Sequence, residues 1–176
     1  LISIADARAN ALRLNFNSET IQEPKNLGVT IVDNVSLAEL IPFIDWTPFF
    51  QTWELHGRYP NILEDEVVGK EAVQLFSDAQ EMLDKIQKEN WMKAKGVLGL
   101  FPANSVGDDI EIYSDTKRSK TLYTQRTLRQ QTKKAKGQPN LALADFIAPK
   151  STEVIDFIGA FAVTSGLGIE KYITQF

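Results

Sequence analysis

The sequence predicts an α+β domain, a twisted antiparallel sheet flanked by helices, and three observations carry that prediction. Residues 66–90 repeat apolar side chains at three- and four-residue steps, as one face of a helix does. The second half instead carries short apolar or alternating segments, the pattern of buried and half-buried strands. Those segments are separated by tight-turn signals, which join antiparallel rather than parallel neighbours.

Each element follows from local chemistry. Ser3 is a helix N-cap type and precedes Ala5, Ala7, Ala9 and Leu12, so a helix is expected to about Leu14. Residues 15–28 are polar and contain Pro24 and Gly28, a loop. Val29 to Val32 is β-branched and reads as a short strand. Ser36 followed by Glu39 matches the capping box and opens a helical turn. Pro42 and Pro48 prevent one long helix from running through residues 41–51. Gly57 to Asn61 reads as a turn, and the long helix follows from about Glu66 to Asn90. Val68, Ala72, Leu75, Phe76, Ala79, Leu83 and Ile86 form its apolar face. Residues 96–101 are expected as a buried strand ending at Pro102. Asp109 to Tyr113 alternates, and Gly107-Asp108 before it is a hairpin signal. Thr121 to Thr124 adds a strand, and Phe157 to Thr164 reads as a strongly buried one. Gly159 and Ala160 would let another backbone or a ligand approach it. Residues 173–176 read as part of an amphipathic helix.

Composition bounds the function. The 176 residues hold 43% hydrophobic and 24% charged side chains, ordinary for a globular domain. A net charge of -4 argues against nucleic acid as partner. No apolar run reaches the roughly 20 residues that a membrane-spanning helix needs, and no signal-peptide core opens the chain. With no cysteine, disulfides and thiolate metal sites are excluded, and cytoplasmic residence fits. The chain starts at Leu1 rather than Met, so it is expected to be a piece of a longer protein.

The segment Ile41-Pro-Phe-Ile-Asp-Trp-Thr-Pro-Phe-Phe-Gln51 is the chemically distinctive one. Asp45 stands among apolar and aromatic residues, where a carboxylate needs a cation or hydrogen bonds. One reading is a ligand contact to a molecule with an apolar plane and a positive charge. The other is that Asp45 caps the next helical turn and the aromatics are core. His56 is the single histidine, and with no Gly-x-Ser-x-Gly elbow and no cysteine it has no nucleophile to serve. Glu64, Asp65 and Glu66 suit a helix N-terminus. Asp108, Asp109 and Glu111 lack the spacing of a calcium loop; no metal site is expected. The tract Lys117 to Lys136 is basic but poor in aromatics, which suits an acidic partner surface or solvation.

Beyond these readings, IDWTPFFQTW (44–53), YPNILEDEVVGKEA (59–72), GLFPANSVGDDIEIY (99–113), LRQQ (128–131), LADFIAPK (143–150) and DFIGAFAVTSGLG (156–168) follow one another along the chain. In that order they resemble the activation domain of cobalamin-dependent methionine synthase. The resemblance implies one activation domain over 1–176, with 1–40 as its lead-in helix and loop, forming the N-terminal half of a C-shaped fold. It implies a part of a methyltransferase that moves a methyl group from methyltetrahydrofolate to homocysteine, not catalytic alone. The module would bind S-adenosylmethionine and support reductive methylation of oxidised cobalamin. Cobalamin would be held by a neighbouring domain of the same enzyme, and the electron would come from a flavodoxin-type donor. The family's ligand-contacting Asp falls on Asp45, with Trp46 and Phe49 as pocket neighbours. The family's R-P-A-P-G-Y contact motif does not occur in these residues. The expectation is therefore a truncated domain with half of its binding site. The alternative is a module that docks on a corrinoid protein and has lost ligand binding. A stand-alone enzyme is disfavoured by the lack of a nucleophile–base pair.

Overall fold

A computed structural model describes residues 1–33 and 35–174 and arranges them as an α+β fold around a five-stranded sheet. The helices are α1 (Ile4–Ala9), α2 (Leu37–Leu40), α3 (Trp46–Thr52), α4 (Gly69–Lys88) and α5 (Glu170–Ile173). The strands are β1 (Gly28–Val32), β2 (Lys93–Val106), β3 (Asp109–Tyr113), β4 (Thr121–Arg126) and β5 (Asp156–Leu167). The sheet runs β1-β2-β3-β4, and β5 also pairs with β2. β2 and β3 are antiparallel with Ala103 opposite Ile112, and β3 and β4 are antiparallel with Ile110 opposite Gln125. The chain divides into two compact units, 1–30 with 97–162 and 31–96 with the residues from 163 onward.

In the first unit, Gly107 takes φ +62 in the β2–β3 turn, a left-handed conformation that a side chain resists. The hairpin it closes buries Ala103 and Ile110 against Ala144 and Ile147. α1 is capped by Ser3, whose hydroxyl accepts from the Asp6 amide. It ends at Ala9 rather than near Leu14. At Asn10 the side chain turns to tertiary partners, donating to the Gln138 carbonyl (3.0 Å) and to Asn140 Oδ1 (2.7 Å). With Ile2 N donating to the Gln131 carbonyl at 2.8 Å, these bonds fasten the helix to its unit at both ends.

In the second unit, Trp46, Phe50, Ile62 and Ala72 form a buried core. Leu75, Phe76, Ala79 and Leu83 of α4 pack against it at the spacing read from the sequence. α4 begins at Gly69, not Glu66, because Asp65 Oδ1 accepts from the amides of Val67 and Val68 and holds a turn ahead of the helix. The capping box at Ser36 and Glu39 forms as expected. Tyr172 of α5 stacks on Trp91 at 4.6 Å and 10°. Of the predicted helix over 173–176, residues 175 and 176 lie outside the described residues.

Two strands depart from expectation. β2 continues through Pro102 to Val106, and Pro102 is fully buried; a proline costs a strand one donor and no more where its φ already suits. β5 is not buried. Phe161 is 75% and Val163 71% exposed, since nothing among the described residues covers these side chains. An apolar β-branched run reports only that a strand wants cover, not that these residues supply it. At Gly159 the close neighbour is the Leu100 side chain, 3.1 Å from where a Cβ would sit.

Candidate functional site

Asp45 is the N-cap of α3. Its backbone is extended (φ -79, ψ 106), and its Oδ1 accepts from the Thr47 amide at 3.1 Å. The capping reading of the sequence is therefore realised. The withdrawal from water is not: Asp45 is exposed, and no arginine or lysine among the described residues pairs with it. The apolar neighbours are explained without burying the charge, because a cap residue sits outside the helix barrel while Trp46 and Phe50 turn inward. Its Oδ2 accepts no hydrogen bond from the described residues, so half of the carboxylate stays free for a donor.

Behind the cap lies an aromatic cluster. The Trp46 ring meets Phe49 edge-on at 5.3 Å and Phe76 at 4.8 Å, and Phe49 meets Phe50 at 5.4 Å. Tyr59 closes the group at 5.4 Å from Phe76, and its amide donates to Thr47 Oγ1 at 3.3 Å. Edge-to-face packing of this kind adds to plain burial and makes the α3 N-terminus a stiff platform. Trp46 is buried in the cluster and Phe49 is half-buried. Of these two aromatics, Phe49 retains the more open face.

A second polar centre was not singled out from the sequence. Arg129, its side chain 3% exposed, lies between Asp108 and Asp145. Nε donates to Asp108 Oδ1 (2.8 Å), Nη1 to Asp145 Oδ2 (2.8 Å) and to the Asn140 carbonyl (2.7 Å), and Nη2 to Asp145 Oδ1 (2.6 Å). Arg8 of α1 adds Nε to Asp108 Oδ2 at 2.7 Å. Burial pushes the Asp108 carboxyl up, but hydrogen bonds from Arg8 and Arg129 outweigh it and hold the group below its ordinary value. Burial acts likewise on Asp145, and Arg129 with the Ala142 amide overcomes it. Asp145 first, then Asp108, keep the Arg129 guanidinium above its ordinary range against burial. With every nitrogen engaged, Arg129 holds the fold and offers no free donor. The sequence shows Asp108 in a turn and Arg129 in a basic tract, and contacts across 21 and 16 positions leave no local pattern that joins them.

Two further acids of the hairpin also find cations. Asp109 pairs with Arg126, and Glu111 accepts from Lys150 Nζ (2.7 Å) and the Tyr113 hydroxyl (2.8 Å). His56 is exposed in a loop. Among the described residues no helix is long and apolar enough to cross a membrane.

The lowered carboxyls fix a pH dependence. A group whose pKa falls on folding stabilises the protein above its unfolded value, near 4, and loses that contribution as pH drops through the folded value. Chemical denaturation at a series of pH values is expected to give constant stability from about pH 8 to 5 and a decline below about 4. In Asp145→Asn the decline should be shallower, and an identical slope in both proteins would remove Asp145 as a source.

Residues 36–176 match the family described as vitamin B12 dependent methionine synthase, activation domain. The chain is also similar to a crystal structure of the MetH reactivation domain bound to AdoHcy, with 49% identity and a TM-score of 0.87. That alignment covers 99% of this chain and 53% of the other, so the chain spans about half the length of the solved structure it matches.

Proposed function

Because the chain belongs to the vitamin B12 dependent methionine synthase activation domain family, we propose that it is the S-adenosylmethionine-binding reactivation module of such an enzyme. In this reading 1–176 is one stretch of the activation domain, with 1–40 as its lead-in. The parent polypeptide is a cytoplasmic methyltransferase acting on methyltetrahydrofolate and homocysteine, and this stretch has no catalysis of its own. Its partners are the enzyme's cobalamin-binding domain and a flavodoxin-type electron donor.

The observation that carries the reading is the half-free carboxylate of Asp45 on a rigid aromatic platform, in a chain 49% identical to a domain bound to AdoHcy. S-adenosylmethionine presents an ammonium and a sulfonium, and a carboxylate already oriented by one backbone amide meets a cation without further ordering. Phe49, and the edge of Trp46 beside it, would border the ligand. When bound, S-adenosylmethionine supplies the methyl group; the protein's part is to bind and orient.

A second reading, a docking module for a corrinoid protein without ligand binding, is favoured by the exposed Phe161 and Val163 on β5. Calorimetric titration of S-adenosylmethionine into the polypeptide that carries these residues separates the two. Saturable binding is expected. A flat titration, with capture of the cobalamin-binding domain intact, would establish the second reading instead.

A further inference from the structure

Local chemistry leaves Asp45 little choice of backbone partner. An N-cap side chain accepts from the amide of the second or third residue of its helix. The third residue here is Pro48, which has no N–H to give. That leaves the Thr47 amide, 3.1 Å from Asp45 Oδ1. Where Thr47 sits therefore decides which way the carboxylate faces, and where its Oδ2 is offered.

Thr47 is itself held from outside its helix. Within a helix a threonine hydroxyl bonds back to a carbonyl of the preceding turn. Thr52 does so, donating to the Pro48 carbonyl at 2.9 Å. No helical turn precedes Thr47, and its Oγ1 instead accepts from the Tyr59 amide at 3.3 Å, 12 positions along the chain. Tyr59 is fixed in turn. Its ring lies 5.4 Å from Phe76 and stacks on Phe50 at 6.4 Å and 15°. The turn that carries it is closed by the Ile62 amide, which donates to the Arg58 carbonyl at 2.9 Å, and Ile62 belongs to the buried core. A β-branched side chain has few χ1 rotamers, so a gripped hydroxyl also fixes the backbone that bears it. Core, Tyr59, Thr47 and Asp45 thus form one continuous chain of contacts, all within the same unit of the fold.

We propose that Thr47 is a positioning residue of the S-adenosylmethionine site. Its hydroxyl, gripped by the Tyr59 amide, holds its own amide where that amide aims Asp45 at the cation of the ligand. The inference deepens the proposed function and rests on the reading of Asp45 as the carboxylate that meets the ligand. Without the Thr47–Tyr59 bond the cap can still form, but on a first turn free to shift against the aromatic platform. Part of the binding energy then goes into restoring the orientation.

Thr47→Val removes the hydroxyl while keeping the branched shape and the backbone amide. S-adenosylmethionine is titrated calorimetrically into the full polypeptide that carries these residues. Binding to Thr47→Val is expected to be about threefold to tenfold weaker, the range for one hydrogen bond. Thr47→Ser keeps the hydroxyl and should bind within about twofold of the wild type. A residue that only supports the fold would act whether or not Asp45 is present. A positioning residue acts through Asp45, so in an Asp45→Ala background Thr47→Val should leave the residual affinity unchanged while still lowering the melting temperature. Wild-type affinity in Thr47→Val, weak binding by Thr47→Ser, or the same fold-loss with and without Asp45 would each overturn the proposal and leave the ligand reading standing. A flat titration of the wild type would instead overturn the ligand reading, and this inference with it.

Discussion

Replacing Asp45 with alanine is expected to weaken S-adenosylmethionine binding by roughly tenfold to a hundredfold, the range for losing a charge-assisted hydrogen bond. Alanine also removes the N-cap of α3, where Oδ1 accepts from the Thr47 amide, and so lowers stability by about 1 kcal/mol. The two effects separate in Asp45→Asn. Asparagine caps a helix as well as aspartate does, so stability should return to near the wild-type value. It carries no charge, so affinity should remain low. Paired calorimetric and thermal measurements on the two variants check this. If Asp45→Asn binds as the wild type does, the carboxylate is a cap and nothing more.

The largest loss of stability is expected from Arg129→Met. The guanidinium is buried and holds Asp108 and Asp145 together. Removing it leaves Asp145, its side chain 7% exposed, with no cation, and Asp108, 11% exposed, with Arg8 alone. Breaking a buried pair from one side costs about 3–5 kcal/mol, because the charge left behind has lost its compensation. For a chain of this length that corresponds to a fall in Tm of roughly 10 °C. The double variant Arg129→Met with Asp145→Asn should recover part of the loss, since one stranded charge is then gone. Differential scanning calorimetry of the three proteins tests the claim. Additive losses would show that the two side chains act independently.

Local chemistry was legible in the sequence where it is also local in space. The capping box at Ser36, the apolar face of α4 and the Gly107 turn are set by residues within a few positions of one another. α4 is shorter than its apolar repeat predicts because the Asp65 side chain, rather than helical backbone, satisfies the amides of Val67 and Val68. The chemistry of residues 41–51 could be narrowed to a cap or a ligand contact but not divided between them, since both need the same residue types. The Arg129 centre escaped because its partners lie far along the chain. The composition of β5 describes what the strand requires, whereas its accessibility depends on other residues.

The bonds around α1 have a mechanical consequence. Ile2, Arg8 and Asn10 tie the helix to Gln131, Asp108 and Asn140 within its own unit. The helix is thus a fixed handle and not a slack tether. A displacement applied at the amino end would reach the hairpin turn at Asp108 at once, instead of being taken up by the irregular stretch over 11–27 that comes later in the chain.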